Sequence, residues 1–277
     1  MSAIRLLAIF NFIIVTVNFI WIILLDNQYV YGQTIETAVK KYHNPIAPAI
    51  YTYNIWIFIA LVMILVSYIM YSSTNKAHLN FKTIRKVQKI DIMLILNQMF
   101  CGLSMVLKLN DQFIISVLCS IGCAYTLLVI NRRINIRMLT SNSITRYFIR
   151  LAFGIYLGWI LVVITFNSTL VFNKFLYFLD PSILLGMSVG LLIVLVVFGS
   201  YYAIRNLLPS VIVAICWGLY GMIFQIQIDQ LETQRIFLPL LYTLLSISVM
   251  VTIYSYYLCT SRRAIGVKPV DPAASIL

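Results

Sequence analysis

The sequence predicts an all-α fold, a polytopic membrane helical bundle of about eight transmembrane helices. Three observations carry that prediction. Apolar residues make up 62% of the 277, charged residues only 10%, and mean hydropathy is +0.96; a soluble domain carries about a quarter charged residues. The apolar residues gather into runs near the length that a hydrocarbon core demands of a helix, at about 4–25, 49–71, 90–107, 113–130, 151–166, 182–204, 207–225 and 235–259. Lysine and arginine concentrate in alternate connections between these runs. Residues 1–277 are thereby expected to form one integral membrane domain.

The first run is longer than a signal-peptide core and has no small-x-small cleavage site, so it reads as a retained spanning helix. Asn11 and Asn18 lie seven apart on one face, which should turn into the bundle because lipid offers an amide no partner. The polar connection Asp26 to Asn44 ends in Asn44-Pro45-Ile46-Ala47-Pro48, where two prolines stiffen the approach to the second span. That span opens on Tyr51, Tyr53, Asn54 and Trp56. A hydrophilic stretch, Ser72 to Lys89, leads to the third span with Asn97 and Gln98, and a tight polar turn, Lys108 to Gln112, to the fourth.

The fifth span, within Arg150 to Asn167, is the one around which a bundle can be built. Gly154 and Gly158 share one helix face, and in lipid such a pair lets a neighbouring backbone come close. Phe153, Tyr156 and Trp159 follow at steps of three and form an aromatic row on another part of the helix. Asn167 to Pro181 reads as a loop. The sixth span holds a second small pair, Gly186 and Gly190, read like the first as a packing device. Pro209 suits the first turn of the seventh helix, and Pro239 stands near the start of the eighth.

Charge sets an orientation. With the N-terminus cytoplasmic, fifteen of the twenty Lys and Arg fall on the cytoplasmic side of eight spans, and six of the eight acidic residues fall outside. The net charge of +12 is then a positive-inside signal, with both termini cytoplasmic, and not a nucleic-acid footprint. Attraction to anionic membrane lipid on that face follows.

Catalysis lacks its parts. No Asp, Glu, Lys, Arg or His falls near the middle of a span, and His43 and His78 sit in loops on opposite sides. There is no phosphate loop, zinc-protease helix or Ser/His/Asp set. Cys119 and Cys123 are four apart but have no nearby His or carboxylate, so packing suits them better than a metal. Neither an enzymatic activity nor a cofactor is expected.

What remains at depth is neutral-polar and aromatic: Asn54, Asn97 and Gln98 with Tyr156, Trp159, Trp217 and Tyr220. Aromatic walls with a few amides suit a flat apolar molecule. Tyr51, Tyr53, Tyr201 and Tyr202 read instead as interfacial belt residues. Trp159 and Trp217 fall near the middle of their spans, where helix packing and pocket lining both remain open.

Asn44-Pro45-Ile46-Ala47-Pro48-Ala49-Ile50-Tyr51 followed by Asn54-Ile55-Trp56 resembles the proline-containing lead-in of the tryptophan-rich sensory protein, or translocator protein, family. Phe153-Gly154-Ile155-Tyr156-Leu157-Gly158-Trp159 is similar to that family's Tyr-x-x-Trp helix, Leu96-Asn97 to its Leu-Asn segment, and Val213 to Gly218 to a late helix of its longer members. The chain departs from the family's five-helix core in having eight spans and in carrying only four tryptophans. The resemblance implies a pocket for porphyrin-like or sterol-like molecules, capped by the first long loop. Carried onto this chain, it implies Pro45, Pro48 and Trp56 at the lid and pocket mouth, and Asn97, Tyr156 and Trp159 within the bundle. Trp217 joins them as the other deep tryptophan.

The expectation is therefore a membrane protein that binds a hydrophobic or flat aromatic ligand, such as a tetrapyrrole or sterol, in a sensory or transport-related role. The alternatives are a secondary transporter or lipid-handling protein, and a non-catalytic subunit of a membrane complex. The Gly-x-x-x-Gly pairs are compatible with a homodimer as well as with packing inside one chain. A bacterial inner (plasma) membrane is the expected location.

Overall fold

The computed structural model describes residues 3–26, 46–74, 81–139, 144–229 and 235–264. Pro45, His43, His78 and most of the long outer connection lie outside the described residues. Those described fold into nine helices: α1 (Ala3–Asp26), α2 (Ile55–Ser72), α3 (Phe81–Ile90), α4 (Met93–Leu109), α5 (Phe113–Arg133), α6 (Ile144–Phe175), α7 (Pro181–Asn206), α8 (Ser210–Asp229) and α9 (Leu238–Ala264). Short 3-10 turns precede α2 (Ile50–Asn54) and α6 (Ile136–Met138). Seven of the helices are long and apolar enough to cross a membrane, and α4 is a shorter apolar helix. The eight expected spans are thus present as helices.

α6 is the axis of the bundle. It packs on α2 and α5 on one side and on α7 and α8 on the other, while α1 closes against α2 and α4. Its two faces do different work. A Cβ on Gly154 would run into the Ser210 hydroxyl, and one on Gly158 into the Val211 carbonyl, so the smooth face lets the α8 backbone come into direct contact. Phe153, Tyr156 and Trp159 are fully buried. Gly186 and Gly190 behave otherwise: a Cβ on either would meet nothing within 4 Å, so among the described residues this second pair packs on no neighbour.

Three readings of the sequence are corrected. Residues 167–175 continue α6 and are not loop; Asn167, Thr169 and Leu170 are fully buried, and Thr169 Oγ1 bonds back to the Phe166 carbonyl (2.7 Å). At 32 residues α6 is about 48 Å long, well beyond a hydrocarbon core of about 30 Å. Residues 81–90 of the hydrophilic connection form an amphipathic helix, with Val87 and Ile90 buried against the bundle and Arg85 and Lys89 exposed. Arg150 is not the edge of the fifth span but a buried residue inside α6, donating to the carbonyls of Ile136 (2.6 Å) and Leu207. It thereby ties the turn before α6 to the bend between α7 and α8, where Leu207 takes a left-handed backbone (φ 53°).

Two outcomes are expected in detergent. Gly158→Ala should cost roughly 1–3 kcal/mol through overpacking against α8, seen as a lower melting temperature, while Gly190→Ala should leave it unchanged or raise it, since alanine favours a helix. Burial, and behind it the charge of Arg146, lowers the Lys86 ammonium in α3 from 10.5 to about 8. Between those two values the unfolded chain holds more protons than the folded one, so stability should rise with pH across that window. The melting-temperature difference between parent and Lys86→Gln, measured at pH 7, 8.5 and 10, should show the parent gaining on the variant as pH rises.

Candidate functional site

The aromatic face of α6 looks towards α2, where rings meet edge to face. Trp56 lies 6.1 Å from Tyr156 and 6.3 Å from Trp159, and Tyr53 lies 6.1 Å from Trp159 (centroid distances). Such pairs put a positive ring edge on a negative face. The indole N–H groups of Trp56 and Trp159 are buried without an acceptor.

Beside the rings runs a chain of amides. Asn97 and Gln98 are neighbours on α4, so their side chains diverge by about 100° around the helix and reach different partners. Asn97 Nδ2 donates to the Cys123 carbonyl and to Thr126 Oγ1 on α5, each at 2.9 Å. Gln98 Oε1 accepts from Asn18 Nδ2 on α1 (2.8 Å), while Gln98 Nε2 donates to Asn97 Oδ1 (3.0 Å) and more weakly to the Tyr156 hydroxyl (3.5 Å). Four helices are joined by these bonds, and Asn97, Gln98 and Tyr156 have at most 1% of their surface exposed.

Ser104, Ser116 and Ser120 continue the polar seam between α4 and α5, with Ser104 Oγ 2.7 Å from Ser120 Oγ. Small side chains there let the two helices approach closely, as helices in lipid require. Trp56, Cys101, Ser104, Ser120, Cys123 and Val163 are among the residues enclosing a cavity of about 10 Å³. That is room for about one water, whereas a small-molecule site occupies several hundred Å³. A larger guest must part α2 from the α4–α6 wall.

Of the residues expected from sequence, Trp56, Asn97, Tyr156 and Trp159 are brought together. Pro48 is buried in the segment leading to the 3-10 turn, which docks on α8 through Ala49 N–H to the Gly221 carbonyl (3.0 Å). Trp217 does not join the cluster. It is 36% exposed on α8, donates to the Thr52 carbonyl (2.8 Å) and stands edge-on to Tyr51 (5.9 Å). Asn54 is exposed. Two members escaped the sequence reading: Tyr53, which packs inwards on Trp159 and Phe166 instead of joining an interfacial belt, and Asn18, whose amide completes the chain. The seven-residue spacing of Asn11 and Asn18 was the available signal, and both are buried. Among the described residues, no three His, Cys, Asp or Glu side chains gather as a metal site would need.

The architecture is that of an integral membrane helical bundle with an aromatic and amide-lined interior. The family model described as TSPO-like protein matches residues 8–257, and the chain belongs to that family. The match runs from α1 into α9 and so takes in the last three spans. No curated protein and no solved structure matches the chain.

The amide chain should be energetically coupled. Gln98→Leu strands the Asn18 amide and the Asn97 carbonyl, at about 1–3 kcal/mol for each group left unsatisfied. Adding Asn18→Leu should recover part of that loss, giving a coupling of at least about 0.5 kcal/mol in a double-mutant cycle. Strictly additive melting shifts would refute the bond.

Proposed function

We propose that the protein binds a hydrophobic, flat aromatic ligand of tetrapyrrole or sterol type between α2 and the α4–α6 wall, in a sensory or transport-related role and without catalysis. The observation that carries this reading is the pair of buried indole N–H groups of Trp56 and Trp159. Each forgoes a hydrogen bond that a buried donor normally makes, and both belong to the ring cluster beside the Asn97–Gln98 amides. Rings supply flat apolar contact, and the indoles supply donors that a ligand acceptor can meet. Membership of the TSPO-like family supports the same reading.

The segment before α2 acts as the lid. Its 3-10 turn carries Tyr53 onto Trp159 while Thr52 packs on Gly221 of α8, so a movement of this turn would bare the rings from above. The charge pattern supports both termini being cytoplasmic, and a bacterial inner membrane is the location we propose with it.

Intrinsic fluorescence tests the proposal, because two of the four tryptophans lie in the cluster. Titration with protoporphyrin, then with a sterol, should give saturable quenching by the first or a saturable shift with the second. Trp159→Phe should remove most of that response, and Asn97→Ala should weaken binding about tenfold with helical content unchanged. If folded Trp159→Phe and Asn97→Ala bind every tested ligand as the parent does, the site is misplaced.

A further inference from the structure

The cavity enclosed by α2, α4, α5 and α6 is too small for an organic ligand, but its 10 Å³ admits one water-sized body and hence a bare ion. Three sulfur-bearing side chains line it. Cys101 and Met105 lie four apart on one face of α4, and Cys123 comes from α5. All three are buried. The thiols of Cys101 and Cys123 hydrogen-bond to each other across the contact between the two helices. Cys119, one turn earlier on α5, does not line the cavity.

A buried free cysteine ordinarily serves as a small hydrophobe, but these two have polar company. Asn97 Nδ2, besides its bonds to the Cys123 carbonyl and Thr126, donates to Cys123 Sγ (3.2 Å). The Tyr156 hydroxyl lies 3.6 Å from the same sulfur, and because its oxygen accepts from Gln98 its own proton can turn to Cys123. The Tyr156 and Asn18 side chains also reach the Cys101 thiol. A metal-bound thiolate keeps lone pairs after giving one to the ion, and donors around it hold the ligand in place and tune the metal. Among the described residues no further cysteine, histidine or carboxylate joins the pair, so the remaining ligand is the Met105 thioether. Thiolate and thioether are soft ligands that select Cu(I), whereas zinc takes four ligands in a structural site.

We infer that Cys101 and Cys123, with Met105 as a weaker third ligand, form a Cu(I) site inside the bundle. On binding, each thiol gives up its proton and a sulfur lone pair makes the bond to copper. Both protons leave to solvent, and copper keeps its single positive charge, so nothing is oxidised or reduced. The complex carries one net negative charge, which the Asn97 amide and the Tyr156 hydroxyl meet as donors. The inference goes beyond the proposed organic ligand. Copper fits the cavity as it stands, whereas a flat molecule must part α2 from the α4–α6 wall, so either reading can fail without the other.

The test titrates the full-length protein, reduced and kept from air in detergent, with Cu(I) against the chromophoric chelator bathocuproine disulfonate. The parent should withdraw about one Cu(I) per chain, and X-ray absorption at the copper edge should show sulfur neighbours only. Cys101→Ser and Cys123→Ser should each weaken the affinity about a hundredfold or more, and Met105→Leu and Tyr156→Phe about tenfold. Cys119→Ser should leave it unchanged, which separates the site from indiscriminate binding to thiols. Helical content and melting temperature report whether each variant folds. If the serine variants do not fold, Met105→Leu, which keeps the core volume, decides, and an unchanged affinity then overturns the site. A parent that withdraws no copper overturns it, as do folded Cys101→Ser and Cys123→Ser variants that hold copper like the parent. Protoporphyrin titration of the copper-free parent reads the proposed ligand site separately: saturable quenching there without copper uptake sinks this inference alone.

Discussion

The close approach of α6 to α8 sets the geometry of everything else. Lipid offers helices little hydrophobic reason to associate, so contact area must come from backbones that can touch. Gly154 and Gly158 provide it, with Ser210, Val211 and Ala214 of α8 occupying the space that side chains would take. Once that face of α6 is committed to α8, Tyr156 and Trp159 are turned towards α2, α4 and α5. One helix thus divides the bundle into a tightly packed half and a half with polar groups inside.

In that second half the governing constraint is hydrogen bonding. Water is not at hand, so each buried amide has to be met by another protein group. The chain from Asn18 through Gln98 and Asn97 to Thr126 meets it for several of these groups, and with the branch from Gln98 to Tyr156 it binds four helices in the process. Among the described residues the unmet groups include Asn11 Oδ1, Ser67 Oγ, the amide of Asn167 and the indoles of Trp56 and Trp159, and Trp56 lines the small cavity beside the amide chain. Polar groups left unmet in an otherwise satisfied interior are where a ligand has most to add.

Buried cations mark the two ends of α6. Arg150 spends its guanidinium on backbone carbonyls at one end, which is a structural use: it fastens the turn before α6 and the Leu207 bend. Lys108, towards the other end, lies 5.4 Å from the centroid of the Phe166 ring. Both stand in the sequence at the edge of an apolar run, where a charged residue ordinarily faces water. Whether it does so depends on how far its helix and its neighbour continue, and α6 continues a further nine residues past Phe166.

The sequence by itself determined the class: composition demands lipid, run lengths set the number of spans, and the small pair with the aromatic row singled out α6. It also supplied most of the core cluster, since Trp56, Asn97, Tyr156 and Trp159 are residue types that a lipid-facing position would not explain. Only the tertiary structure decided which faces meet. Gly186 and Gly190 carry the same motif as Gly154 and Gly158 yet touch nothing, and Trp217 sits as deep in its run as Trp159 yet turns to Tyr51 and the surface. The amphipathic helix 81–90 and the inward turn of Tyr53 were likewise hidden. Periodicity records which residues share a face of one helix; the partner of that face is fixed by contacts between residues far apart in the chain, and no local pattern encodes them.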